Sequence, residues 1–131
     1  MASGDDPQNV VIVLTVGKSD NGKNATLAFS CGLSALAMGH DAVVFLTSDG
    51  AVWGYQGSSS GITVQGFAPL SELIEQFLDS GGRVILCSVC HKTCGPGSPN
   101  CGLGGEKLNR AEIGGFASII ELGLNGMSVT F

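Results

Sequence analysis

Positive charge is what this sequence has least of. Six Lys and Arg stand against eleven Asp and Glu in 131 residues, a formal net charge of −5. The few basic residues are scattered, so there is no stripe of the kind that replaces phosphate counterions, and this argues against a nucleic-acid partner. A membrane-surface role is served equally poorly. No apolar run reaches the roughly 18 residues of a spanning helix. The opening Met1-Ala2-Ser3-Gly4-Asp5-Asp6 is acidic and polar, the opposite of a secretory leader, so the expected location is the cytoplasm. No repeat and no second zone of composition interrupts the chain.

Charge of either sign is low, at 13%, while apolar residues make up 44%. That composition excludes a disordered chain and suffices for a sizeable core. So little charge also implies that part of the surface is covered by neighbours, and an oligomer is expected. The length fits one domain. We expect a flexible tail over residues 1–9 and a single folded domain over 10–131.

The apolar segments alternate in character. Val10-Val11-Ile12-Val13-Leu14-Thr15-Val16 is a continuous β-branched run, as expected of a strand buried on both faces. Residues 17–22 then form a polar loop, and the Ala- and Leu-rich residues 24–38 favour a helix that Gly39 ends. Cys31 falls inside that helix and reads as a small core residue. A second buried strand, Ala42-Val43-Val44-Phe45-Leu46, runs into a loop, Thr47-Ser48-Asp49-Gly50. Residues 51–67 are rich in Gly and Ser and read as an irregular connection, with a short extended piece at Ile62-Thr63-Val64. Pro69 opens a helix in which Leu70, Leu73, Ile74, Phe77 and Leu78 follow the spacing of one buried face. Arg83-Val84-Ile85-Leu86 is a third strand, running directly into Cys87. Gly/Pro-dense residues 95–105 must be loop. A short strand at Ala111-Glu112-Ile113, a helix over 117–122 and a closing strand Met127-Ser128-Val129-Thr130-Phe131 complete the chain. Strands alternating with helices predict an α/β fold: one three-layer domain with a mainly parallel five-stranded sheet between helices. In such sheets reactive groups gather outside the carboxyl ends of the strands, where the loops after residues 16, 46 and 86 should meet.

Cysteine is the residue with the most informative distribution. Five is an odd number, and Cys87, Cys90, Cys94 and Cys101 crowd into one stretch, unlike the even, dispersed set of a secreted disulfide scaffold. Cys87-Ser88-Val89-Cys90 has the C-x-x-C spacing that brings two sulfurs together across a helical turn. Amides of a helix starting after Cys87 would favour a thiolate there, with His91 and Lys92 adding positive charge. A thiolate is the nucleophile needed both to hold and pass on sulfur as a persulfide and to exchange disulfides. On this reading Cys87 and Cys90 are catalytic, with Cys87 taking up sulfur and Cys90 resolving it. His91 is their supporting residue, and no cofactor is needed. The alternative is a metal-binding or assembly module without catalytic activity, holding zinc or an iron–sulfur centre with Cys87, Cys90, Cys94 and Cys101. The C-x2-C-x3-C-x6-C spacing matches neither a paired zinc knuckle nor the common ferredoxin run. His40, in the turn before the second strand, belongs to the opposite edge and reads as structural.

Gly17-Lys18-Ser19-Asp20-Asn21-Gly22-Lys23 follows a strand and precedes a helix, as a phosphate-binding loop does. The next position, where such a loop offers Ser or Thr to magnesium, is Asn24. Nucleotide hydrolysis is therefore disfavoured, and anion binding by the loop amides stays open.

Several segments resemble the DsrE/DsrF-like proteins: Ala25-Thr26-Leu27-Ala28-Phe29, Met38-Gly39-His40-Asp41, Val44-Phe45-Leu46-Thr47-Ser48-Asp49-Gly50 and Gly66-Phe67-Ala68-Pro69-Leu70. So do Gly81-Gly82-Arg83-Val84-Ile85-Leu86-Cys87-Ser88-Val89-Cys90, Ala111-Glu112-Ile113-Gly114-Gly115-Phe116 and Val129-Thr130-Phe131. The resemblance implies a five-stranded sheet between helices, assembly into homo-trimers or homo-hexamers, and cytoplasmic sulfur relay between a protein sulfur donor and an acceptor. The family's reactive cysteine follows the third main strand and carries over to Cys87; a second cysteine three residues on, present in some members, carries over to Cys90. Where relatives continue into a short helix and an Arg-Gly turn, this chain has Thr93-Cys94-Gly95 and an added Gly/Pro segment.

Overall fold

The β-branched run at the start of the chain becomes the centre of a sheet. The computed structural model describes residues 7–94 and 106–131, with the Cys94 side chain outside that description. Strands β1 (Asn9–Leu14), β2 (Asp41–Leu46), β3 (Arg83–Cys87), β4 (Ala111–Gly114) and β5 (Gly126–Thr130) form a five-stranded sheet in the order β4-β3-β2-β1-β5. Every pairing in it is parallel. The helices are α1 (Lys23–Ala37), α2 (Leu70–Asp79), α3 (Ser88–Cys94) and α4 (Phe116–Leu124). The expected three-layer α/β architecture is the observed one, with element ends shifted by one or two residues, as fraying ends commonly are.

Because a strand turns successive side chains to opposite faces, residue parity sorts the core. Val10, Ile12, Leu14, Val44, Leu46, Val84 and Leu86 pack with α1 and α2, where Phe29 meets Phe77 edge to face with ring centres 5.6 Å apart. Leu70, Leu73, Ile74 and Phe77 are the buried face of α2, as their spacing predicted. Val11, Val43, Phe45, Ile85 and Cys87 occupy the other face, against Ile119 and Leu122 of α4. This second layer is thin. Phe116 touches Phe45 edge to face yet stays 59% exposed, and Ile120 and Leu124 of α4 are also exposed.

Residues 51–67 are largely the irregular connection expected, but their start differs: Ser48–Gly54 is a 3-10 helix lying over the strand ends, and Trp53 and Tyr55 are among the largest fully buried side chains. The small residues are what allow this. A Cβ on Gly50 would overlap the Leu14 carbonyl, so only glycine lets the segment approach β1 so closely. The Trp53 indole N–H donates to the Val16 carbonyl at 2.9 Å, tying the segment to the loop after β1. Ile62-Thr63-Val64 pairs with no strand among the described residues.

Candidate functional site at the carboxyl edge of the sheet

Strand β3 delivers Cys87 to the carboxyl edge, and α3 begins at the next residue. Register pairs Leu46 with Leu86, so Thr47, one step beyond β2, stands beside Cys87, and equal parity turns both toward the α4 face. One turn into α3, the Cys90 sulfur lies 3.8 Å from the Thr47 hydroxyl. Cys87 and Cys90 are both free thiols. The loops after β1, β2 and β3 thus converge as the topology required.

The electrostatics of Cys87 are a contest between two effects. Burial pushes its thiol up, because an ion is poorly solvated there. Against this act the backbone N–H of Cys90, the Thr47 hydroxyl, the Cys90 thiol and the backbone N–H of Val89, and together they hold the thiol below its ordinary range. The helix start behind Cys87 therefore acts through two named amides. Accessibility divides the pair: Cys87 is 1% exposed, whereas Cys90 is only partly buried. Cys87 is covered at the end of its strand, in the cluster against which Cys90 and Ile119 and Leu122 of α4 pack.

A second pair of residues flanks Cys90. The Tyr55 hydroxyl and His91 Nδ1 are 2.8 Å apart, and the two rings stack with centres 5.9 Å apart. Burial raises the Tyr55 phenol above its ordinary range, and the charge of Cys90 raises it further. His91 is thus placed beside the cysteines by a long-range contact as well as by sequence. Neither Thr47 nor Tyr55 was singled out from sequence. Thr47 had a faint signal, its place one residue past a buried strand; Tyr55 had none, since its segment read as an irregular connection.

The remaining sequence candidates fall elsewhere. His40 accepts the Gln8 backbone N–H on Nδ1 at 3.1 Å, away from the cysteines at the start of β2. Cys31 is partly buried against the α1 side of the core. At the phosphate-loop-like segment, Asp20 Oδ1 and Oδ2 accept the backbone N–H groups of Gly22 and Asn24 at 3.0 and 2.8 Å. A carboxylate of the chain itself thus occupies the donors that an anion would use. The Cys94 side chain and Cys101, half of the metal alternative, lie outside the described residues; among the described residues no three His, Cys, Asp or Glu side chains group as metal ligands do.

A family model for the DsrE/DsrF-like family matches residues 8–131. The chain belongs to that family. Among solved structures, the crystal structure of the ychN protein from E. coli is similar in fold, with a TM-score of 0.66 at 18% identity, over 96% of this chain and 100% of that one. No curated protein matches significantly. This DsrE/DsrF-like chain therefore carries its cysteine pair at the end of an inner strand of a shared architecture, and no helix among the described residues is long and apolar enough to cross a membrane.

Proposed function

We propose that the protein is a sulfur-relay persulfide carrier whose reactive groups are Cys87 and Cys90. The observation that carries this reading is the Cys87 sulfur, held below its ordinary thiol range by four donors despite burial, with a second free thiol beside it. Family membership supports sulfur handling in general terms.

The chemistry needs no outside oxidant. A cysteine thiolate attacks the outer sulfur of a donor persulfide, the donor's S–S bond breaks, and its electron pair leaves on the donor sulfur. The carrier then holds a persulfide that an acceptor nucleophile removes in the same way. If the neighbouring thiolate instead attacks the inner sulfur, hydrosulfide leaves and a Cys87–Cys90 disulfide forms, which is the thiol-redox outcome of the same pair. His91, fixed by Tyr55, supports the site.

A cytoplasmic setting, where thiols stay reduced, suits this chemistry. The partners are protein sulfur donors and acceptors, not nucleic acid or membrane, in keeping with the net charge of −5. The working form is a homo-oligomer, a trimer or hexamer. The exposed Phe116, Ile120 and Leu124 on the thinly covered face support that assembly.

Intact mass tests the reading. Incubation with cysteine persulfide should add about 32 Da per sulfur atom, removable by a reducing thiol. Peptide mapping should place the gain on Cys87 or Cys90, and the Cys87→Ser/Cys90→Ser double variant should lose it. Undiminished uptake by that double variant would overturn the proposal.

A further inference from the structure

Resting on the carrier reading, the geometry points to Thr47 as the positioning residue of the cysteine pair: its hydroxyl joins the two sulfurs, so that sulfur enters at Cys90 and passes inward to Cys87. Three observations carry this. The hydroxyl is 3.8 Å from the Cys90 sulfur, and either atom can serve as donor. Strand register places Thr47 beside Cys87 on the same face of the sheet, and its hydroxyl is among the groups that hold the Cys87 thiol below its ordinary range. Finally, Cys87 is 1% exposed whereas Cys90 is partly open, so a bulky donor meets Cys90 first.

A hydroxyl is suited to this place because it donates one proton while accepting another. With Cys87 as thiolate and Cys90 as thiol, the Cys90 proton passes to the Thr47 oxygen as the Thr47 proton passes to the Cys87 sulfur. Cys90, now the thiolate, attacks the outer sulfur of the donor persulfide; the donor S–S bond breaks and the electron pair departs on the donor thiolate. In the second step the Cys87 sulfur attacks the outer sulfur of the Cys90 persulfide. A new S–S bond forms on Cys87, the one on Cys90 breaks, and the Cys87 proton returns through Thr47 to the departing Cys90 sulfur. Both steps balance without an oxidant or reductant. The product is a persulfide held on the sheltered sulfur, away from stray thiols.

The test compares wild type with Thr47→Val, which keeps the shape and removes the hydroxyl, and with Thr47→Ser, which restores it. Thr47→Ala serves if the valine variant does not fold. After a short pulse of cysteine persulfide, quenched by alkylation and mapped, wild type should show sulfur on Cys90 before Cys87. Thr47→Val should slow the inward step by about tenfold or more, as loss of a proton-transfer group does, and Thr47→Ser should recover most of the rate. A second readout needs no sulfur donor: iodoacetamide should label Cys90 several-fold more slowly in Thr47→Val than in wild type or Thr47→Ser. Sulfur appearing first on Cys87, or a valine variant equal to wild type in both assays, overturns the inference. Hydroxyl-dependent labelling of Cys90 in a protein that takes up no sulfur would leave Thr47 as the positioning residue and overturn the carrier reading and inward transfer.

Discussion

Tyr55 and His91 are 36 residues apart in sequence, yet the phenol oxygen and imidazole Nδ1 meet at 2.8 Å with the rings stacked at an interplanar angle of 21°. One ring comes from the segment over the strand ends and the other from α3, so the contact locks the helix bearing Cys90 to the body of the fold. Burial and the charge of Cys90 both favour the neutral phenol.

That contact can be read directly, because the chain has one tyrosine. Tyrosinate absorbance should titrate above the ordinary phenol range and move back toward it in Cys90→Ser. The sign follows from the raised value: the neutral phenol stabilises the fold below the unfolded midpoint, and this contribution is lost as pH rises through the folded one. A midpoint unchanged by Cys90→Ser would show that the sulfur does not act on Tyr55.

Cys87 has the opposite sign. With its folded value depressed, the thiolate stabilises the fold above the unfolded midpoint, and that contribution fades as pH falls through the folded one. Chemical denaturation across this window should show wild type losing stability, relative to Cys87→Ser, as the pH is lowered. A parallel pH dependence in the two proteins would mean that the donors around the sulfur do not favour its charge.

Trp53, fully buried with its N–H on the Val16 carbonyl, anchors the segment over the strand ends. Trp53→Ala should cost about 3–5 kcal/mol in urea unfolding through lost packing. Trp53→Phe should cost about 1–3 kcal/mol, mainly through the unpaired carbonyl.

On the thin face, Ile120 and Leu124 are 62% and 77% exposed. Ile120→Glu and Leu124→Glu should yield monomers in sedimentation velocity, with the monomer fold retained and its stability changed by only about 0.5 kcal/mol, as for surface sites. A wild-type protein that is monomeric at all concentrations would remove the proposed assembly.

The layers were legible in the residues alone. Uninterrupted β-branched runs such as Val10 to Leu14 can only be inner strands, and the spacing from Leu70 to Phe77 can only bury one helical face, because these signals are local and periodic. The same local reading placed Cys87 at a strand end and Cys90 one turn later. Tertiary structure alone decided what surrounds them. Burial of Trp53 and Tyr55 depended on small residues allowing a Gly-rich segment to settle onto the strand ends. The meeting of Thr47 with Cys90 depended on strand register, and the covering of Cys87 on Cys90 and α4 packing against its cluster. These are relations between distant segments, fixed by packing free energy, which no short window of sequence contains.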